Sequence, residues 1–177
     1  IATAAELPRA LVLRDSLARA GGLADTPRFR VLVAEHPAEV ARLRTRLAGF
    51  ELLAPDEIGL PGWAHLAFCF TAEEYQAVLL PALLRTLARR GRVVYLAPET
   101  QVFAPVAEIE RALDEADLVV APRHAAPLRV DAPMKYDARA LADALRQGPF
   151  GLGFVAAQGP GSEAALAAWQ ALAEEHA

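Results

Sequence analysis

Residues 92 to 105 read RVVYLAPETQVFAP, an apolar run that passes into a proline-punctuated loop carrying one carboxylate, Glu99. In open α/β sheets ligands gather beyond the carboxyl ends of the strands, so an acid that directly follows an apolar strand stands where chemistry is usually done. The plain alternative is a loop acid that only caps the following TQVF.

Other residue sets with chemical potential fall away on spacing. The glycines of GPFGLGF (148–154) suggest a dinucleotide fingerprint, but that motif follows a strand and opens a helix, whereas here it precedes a strand. A bend with close backbone approach is the expectation for Gly148, Gly151 and Gly153. His36, His65, His124 and His176 have no HxxxH or HExxH spacing, and one cysteine cannot complete a zinc set. No GxSxG elbow and no GxxxxGK[ST] loop occurs. Glu74 is explained by a capping box with Thr71, and Asp114, Glu115 and Asp117 by solvation at a helix end.

The elements that must position Glu99 alternate between strand and helix, the pattern of a sheet with helices on its faces. FRVLVAE (29–35) predicts a strand and is followed by an amphipathic helix with Val40, Leu43 and Leu47 on one side. FELLAPDEIG (50–59) predicts a second strand leaving through a turn. Thr71 opens a long helix through Val78, Leu79, Leu83 and Leu87 to Gly91, with Pro81 expected to kink or split it. RVVYLA (92–97) predicts a fully apolar central strand, and residues 105–116 a helix with Val106, Ile109 and Leu113 aligned. DLVVAP (117–122) reads as a buried strand, Asp137 as the cap of a short helix with Leu141 and Leu145, and LGFVAA (152–157) as the last strand. From Ser162, an N-cap by type, an alanine-rich helix runs to His176.

A chain of 177 residues with 54% hydrophobic and 23% charged residues has material for one globular domain with a substantial core. The net charge of −4 and pI near 5.6 give no electrostatic reason to expect nucleic acid or an anionic membrane as partner. No uncharged apolar run reaches the ~18 residues of a membrane span. The sole cysteine, Cys69, lies in HLAFCF and is expected to be a buried small hydrophobe, which suits a reducing cytoplasm. Because the sequence starts at Ile1, residues 1–177 are expected to be a single domain of a longer chain.

RVVYLAPETQVFAPVAEIERALDEADLVVAPR resembles bacterial GT-A-fold glycosyltransferases that use sugar nucleotides and are related to the glycogenin-like group. TAAELPRALVLRDSL, EEYQAVLLPALLRTLARRG and GPFGLGFVAA fall in the same family order, so the resemblance covers almost the whole chain. It implies a GT-A, Rossmann-like three-layer α/β sandwich with a mainly parallel central sheet. It also implies a donor site in which two acids, one residue apart after the apolar strand, hold Mn²⁺ or Mg²⁺ against the leaving diphosphate.

Against that pattern this chain has lost polar groups. Ala97 stands for the first acid and Glu99, one methylene longer, for the second. Leu80 stands where the family has a lysine facing the diphosphate, and Ala5 and Glu6 where an Asn or Asp and a Tyr line the nucleotide pocket. Gly151 stands for an Asn beside the sugar, while Thr3, Phe150 and Gly153 fit the pattern. The expectation from the resemblance is thus a glycosyltransferase-like domain with a degenerate donor site. Its role would be structural or recognitional, beside a partner protein or another domain of its parent chain.

Two alternatives remain open at this point. One is an active, metal-dependent nucleotide-sugar transferase using Glu99, helped by arginines such as Arg9 or Arg123; the other is a small-molecule binding module that needs no metal.

Overall fold

The computed structural model describes residues 1–21, 28–47, 49–122, 148 and 150–175. The helix expected after Asp137, together with Arg123 and His124, lies outside them. The chain is a mixed α/β structure with strands β1 (Arg30–Leu32), β2 (Glu51–Leu53), β3 (Val93–Leu96), β4 (Leu118–Pro122) and β5 (Phe150–Ala157). The helices are α1 (Leu7–Ala20), α2 (Pro37–Arg46), α3 (Trp63–Cys69), α4 (Ala72–Ala88), α5 (Ala107–Glu115) and α6 (Glu163–Glu175).

The described strands form two separate sheets rather than the one mainly parallel sheet expected. β1 and β2 pair in parallel, and Ala2 extends this pair through an isolated parallel bridge to Val33. β5 lies between β3 and β4 and runs antiparallel to both. The difference has a physical origin: an apolar run announces a strand, but its direction is set by where the connection re-enters the sheet.

Local chemistry explains the helices. α4 begins at Thr71, whose backbone nitrogen (2.9 Å) and hydroxyl (2.8 Å) both donate to Glu74 Oε2, a reciprocal cap of the predicted kind. It then continues through Pro81 to Ala88 as one helix. Proline removes one helical hydrogen bond, but Leu79, Leu80, Leu83 and Leu84 on the neighbouring turns are buried and hold the segment in place.

Two apolar clusters result. One gathers Leu66 of α3, the inward face of α4, Val155 and Ala157 of β5, and Leu166 of α6. The other joins Leu7 and Ala10 of α1 to Val31, Val33, Val40 and Leu52 around the parallel pair. β3 and residues 118–121 of β4 are half-buried, where the sequence predicts fully buried strands.

Cys69 is also a correction, because it is exposed. HLAFCF lies mostly within the short helix α3, which buries Leu66 alone; Cys69 follows it by three residues at the last position of the helix and is exposed, as is Phe68. Among the described residues no helix is long and apolar enough to cross a membrane.

Candidate functional site

The site is built from the ends of three segments, of which the Ala2 segment and β1 are parallel to each other. The N-terminal segment leaves its bridge at Ala2, β1 ends near Val33 to Glu35, and β3 ends at Ala97 to Thr100. Each end turns sharply. Glu6 closes the first turn by accepting from the Thr3 backbone nitrogen (2.8 Å), the Thr3 hydroxyl (2.9 Å) and Gln76 Nε2 of α4 (2.9 Å). Glu35 accepts from the Ala4 nitrogen at 3.1 Å, tying the end of β1 to the same turn. At β3 the Thr100 nitrogen donates to the Ala97 carbonyl at 2.9 Å, leaving Glu99 on the exposed tip.

The structure brings several of the sequence-derived residues together. The Ala97 nitrogen donates to the Gly153 carbonyl at 2.9 Å, so the position of the missing first acid abuts the late glycine segment. Gly151 pairs with Ala121 at the point where the β4–β5 register shifts. A Cβ on Gly153 would meet nothing within 4 Å, and one on Gly151 would reach only the Ala121 carbonyl oxygen at 4.0 Å. The bend expected there exists, but the close backbone approach does not; these glycines leave open room beside Ala97. Gly148 differs, since its φ of 74° is one that L-residues rarely adopt.

Thr3 is half-buried and held by Glu6, whereas Ala5 is exposed. Leu80 belongs to the apolar core beside Tyr75 and Val78, with 2% of its surface exposed. A lysine there would place an ammonium in the core, so in this chain the position serves packing.

Electrostatics links two acids that the sequence treats separately. Tyr95 of β3 has its hydroxyl pushed up to about 12 by burial, with the charges of Glu99 and Glu6 adding to the effect. Partial burial pushes Glu6 up, yet its hydrogen bonds from Thr3 and Gln76 and the nearby charge of Arg9 hold it below the usual carboxylate range. Glu6 therefore stays ionised and engaged. Glu99 makes no hydrogen bond or ion pair among the described residues.

Sequence reading passed over Glu6 as a cap, although Thr3 and Glu6 have the spacing of a capping box and so signalled it. Gln76 carried no such signal, because its contact with Glu6 joins residues far apart in sequence. Among the described residues, no group of three or more His, Cys, Asp or Glu side chains is placed to hold a metal ion. No protein-family model matches the chain, and no curated protein matches it significantly.

Proposed function

We propose that this chain is a glycosyltransferase-like domain of GT-A type in which the donor site has lost its metal-and-phosphate machinery and serves recognition or assembly. The single observation that carries the reading is the turn after β3. Its first acid position is Ala97, with 6% of its surface exposed and bonded to Gly153, and its second, Glu99, lies on the exposed tip without a hydrogen bond or ion pair among the described residues. The neighbouring carboxylates, Glu6 and Glu35, already accept hydrogen bonds that close backbone turns. A diphosphate entering this crevice without a metal would meet acids at three strand ends, and like charges repel it.

In the proposed GT-A arrangement the two sheets belong to one Rossmann-like layer, with helices on either side. What supports this is the shared polarity of the Ala2 segment and β1, together with the placement of β3 beside an antiparallel neighbour.

A second reading, an active metal-dependent transferase using Glu99, draws support from the charges of Glu6 and Glu99 acting on the same tyrosine. In that case Mn²⁺ or Mg²⁺ would be held between Glu99 and waters, with Glu6 nearby. The deciding experiment is an assay of transfer and hydrolysis of UDP-, GDP- and dTDP-sugars with Mn²⁺. The degenerate reading expects no turnover above a buffer control. Turnover that Glu99→Ala abolishes would establish the active reading instead.

A further inference from the structure

Away from the strand ends, two side chains able to bind metal share one stretch of helix surface. Cys69 Sγ lies 3.5 Å from His65 Nε2 and 4.0 Å from its Nδ1, and both residues are exposed. They stand four residues apart on α3. Residues at i and i+4 of a helix are surface neighbours, and helices use this spacing to present two ligands to one ion. Phe68, three residues after His65, borders the pair with 89% of its surface exposed. Leu66 is the only buried residue of α3, so the pair belongs to the outer surface of the molecule.

Thiolate and imidazole ligands in tetrahedral geometry suit Zn²⁺. Zn–S bonds of about 2.3 Å and Zn–N bonds of about 2.0–2.1 Å, at the tetrahedral angle, set sulfur and nitrogen about 3.5–3.6 Å apart. The separation of Cys69 Sγ from His65 Nε2 already has that value. With Nδ1 at 4.0 Å the ring lies more broadside to the sulfur than a bound ion requires. Its terminal torsion is broad, so rotation turns the Nε2 lone pair toward the ion. Ligand count then sets the stoichiometry. One chain offers one thiolate, since its sequence holds a single cysteine, and no group of three or more candidate ligands occurs among the described residues. Structural zinc sites have four protein ligands. Two copies related by a two-fold axis bring the same patch to itself, supply Cys₂His₂ and cover the two exposed Phe68 rings at the contact.

We propose that His65 and Cys69 form half of a zinc site, which a second copy of this chain completes. Two thiols give their protons to solvent, two Zn–S and two Zn–N bonds form, and the two thiolates neutralise the dication. Each imidazole stays neutral and keeps its proton on the nitrogen that does not bind the metal.

The test is sedimentation of the chain in a phosphine reductant, which keeps Cys69 reduced, during titration with Zn²⁺ and, in parallel, with Co²⁺. The expected result is a dimer that saturates at one ion per two chains and dissociates in EDTA. The Co²⁺ form should show a thiolate-to-metal charge-transfer band and the strong visible bands of tetrahedral coordination. Cys69→Ser and His65→Ala should each lose the dimer and these bands while unfolding at the parent's Tm, because both side chains are exposed. Phe68→Ser should weaken the zinc dimer and leave the Tm of the metal-free chain unchanged. A chain that stays monomeric at every Zn²⁺ concentration overturns the proposal, as does saturation at one ion per chain without association. Bands that survive either ligand substitution overturn it too. A dimer seen only when the reductant is left out, whatever the zinc, is a Cys69 disulfide and equally overturns it.

Discussion

The crevice at the strand ends and the seam between α4 and α6 use polar residues in opposite ways. In the seam, Arg85 reaches Glu163 at 2.6 Å and Gln170 at 2.6 Å, Arg89 reaches Glu163 at 2.9 Å, and Gln170 donates to Glu174 at 2.7 Å. Charges there are concentrated, mutually satisfied and laid over the buried Leu166. In the crevice, Glu6 accepts from the backbone of its own turn, Glu35 accepts from the Ala4 nitrogen of the same turn, and Glu99 has no hydrogen bond or ion pair among the described residues. Among the described residues, the charge network around Glu163 thus serves the scaffold by joining α4 to α6.

The largest effect should come from the apolar layer beneath the seam. Leu166→Ala is expected to cost about 2–5 kcal/mol in denaturant unfolding, because the side chain is fully enclosed and truncation leaves a cavity. A loss below about 1 kcal/mol would mean that α6 is not firmly docked.

Next is the amine that a polypeptide of these 177 residues carries at Ile1. Its folded value, about 6, lies below its ordinary 8.0, so between these values the unfolded chain binds more protons and stability rises with pH. Two pH units of displacement correspond to up to roughly 2–3 kcal/mol, and acetylating the amine should flatten the rise.

Within the crevice, Glu6→Ala should cost about 1 kcal/mol, as loss of a cap does, while Glu99→Ala should change stability by less than about 0.5 kcal/mol. Parallel urea titrations compare the two directly. Equal costs would erase the distinction between an acid that builds the fold and one that does not.

The smallest effect is expected at the partly exposed ion pairs of the seam. Hydrogen bonds from Arg85 and Arg89 bring the Glu163 carboxyl down to about 2. The folded value is depressed, so the contribution is present above the ordinary carboxylate range, near 4.3, and is lost as pH falls toward 2. Solvent screening keeps it modest. Urea midpoints measured from pH 5 to pH 2 should fall less steeply for Glu163→Gln than for the parent.

The sequence disclosed those parts of the fold that rest on local rules. Thr71 and Glu74 announced the start of α4, and the alignment of Ile109 with Leu113 announced α5. α1 escaped because its inward residues, Leu7, Ala10 and Leu13, alternate with exposed polar ones and with Pro8 in a way that gives little contrast. The antiparallel direction of β5 escaped because a run such as LGFVAA carries no arrow. Cys69 was misjudged because an apolar hexapeptide was read without its period.

At the site, the Ala97–Gly153 hydrogen bond joins the turn after β3 to the late glycine segment. Leu80 and Ala5 are separated by burial, one in the core and the other in solvent. Such a division depends on tertiary packing, and neither residue type reveals it.

The most direct test of the claim that the crevice has lost its grip on a sugar diphosphate is thermal unfolding with UDP-, GDP- and dTDP-sugars and Mn²⁺. The account predicts melting curves that superimpose on the ligand-free curve up to millimolar ligand. Stabilisation approaching about 2.7 kcal/mol, the value for a ligand at one hundred times its Kd, and its loss in Glu99→Ala, would contradict it.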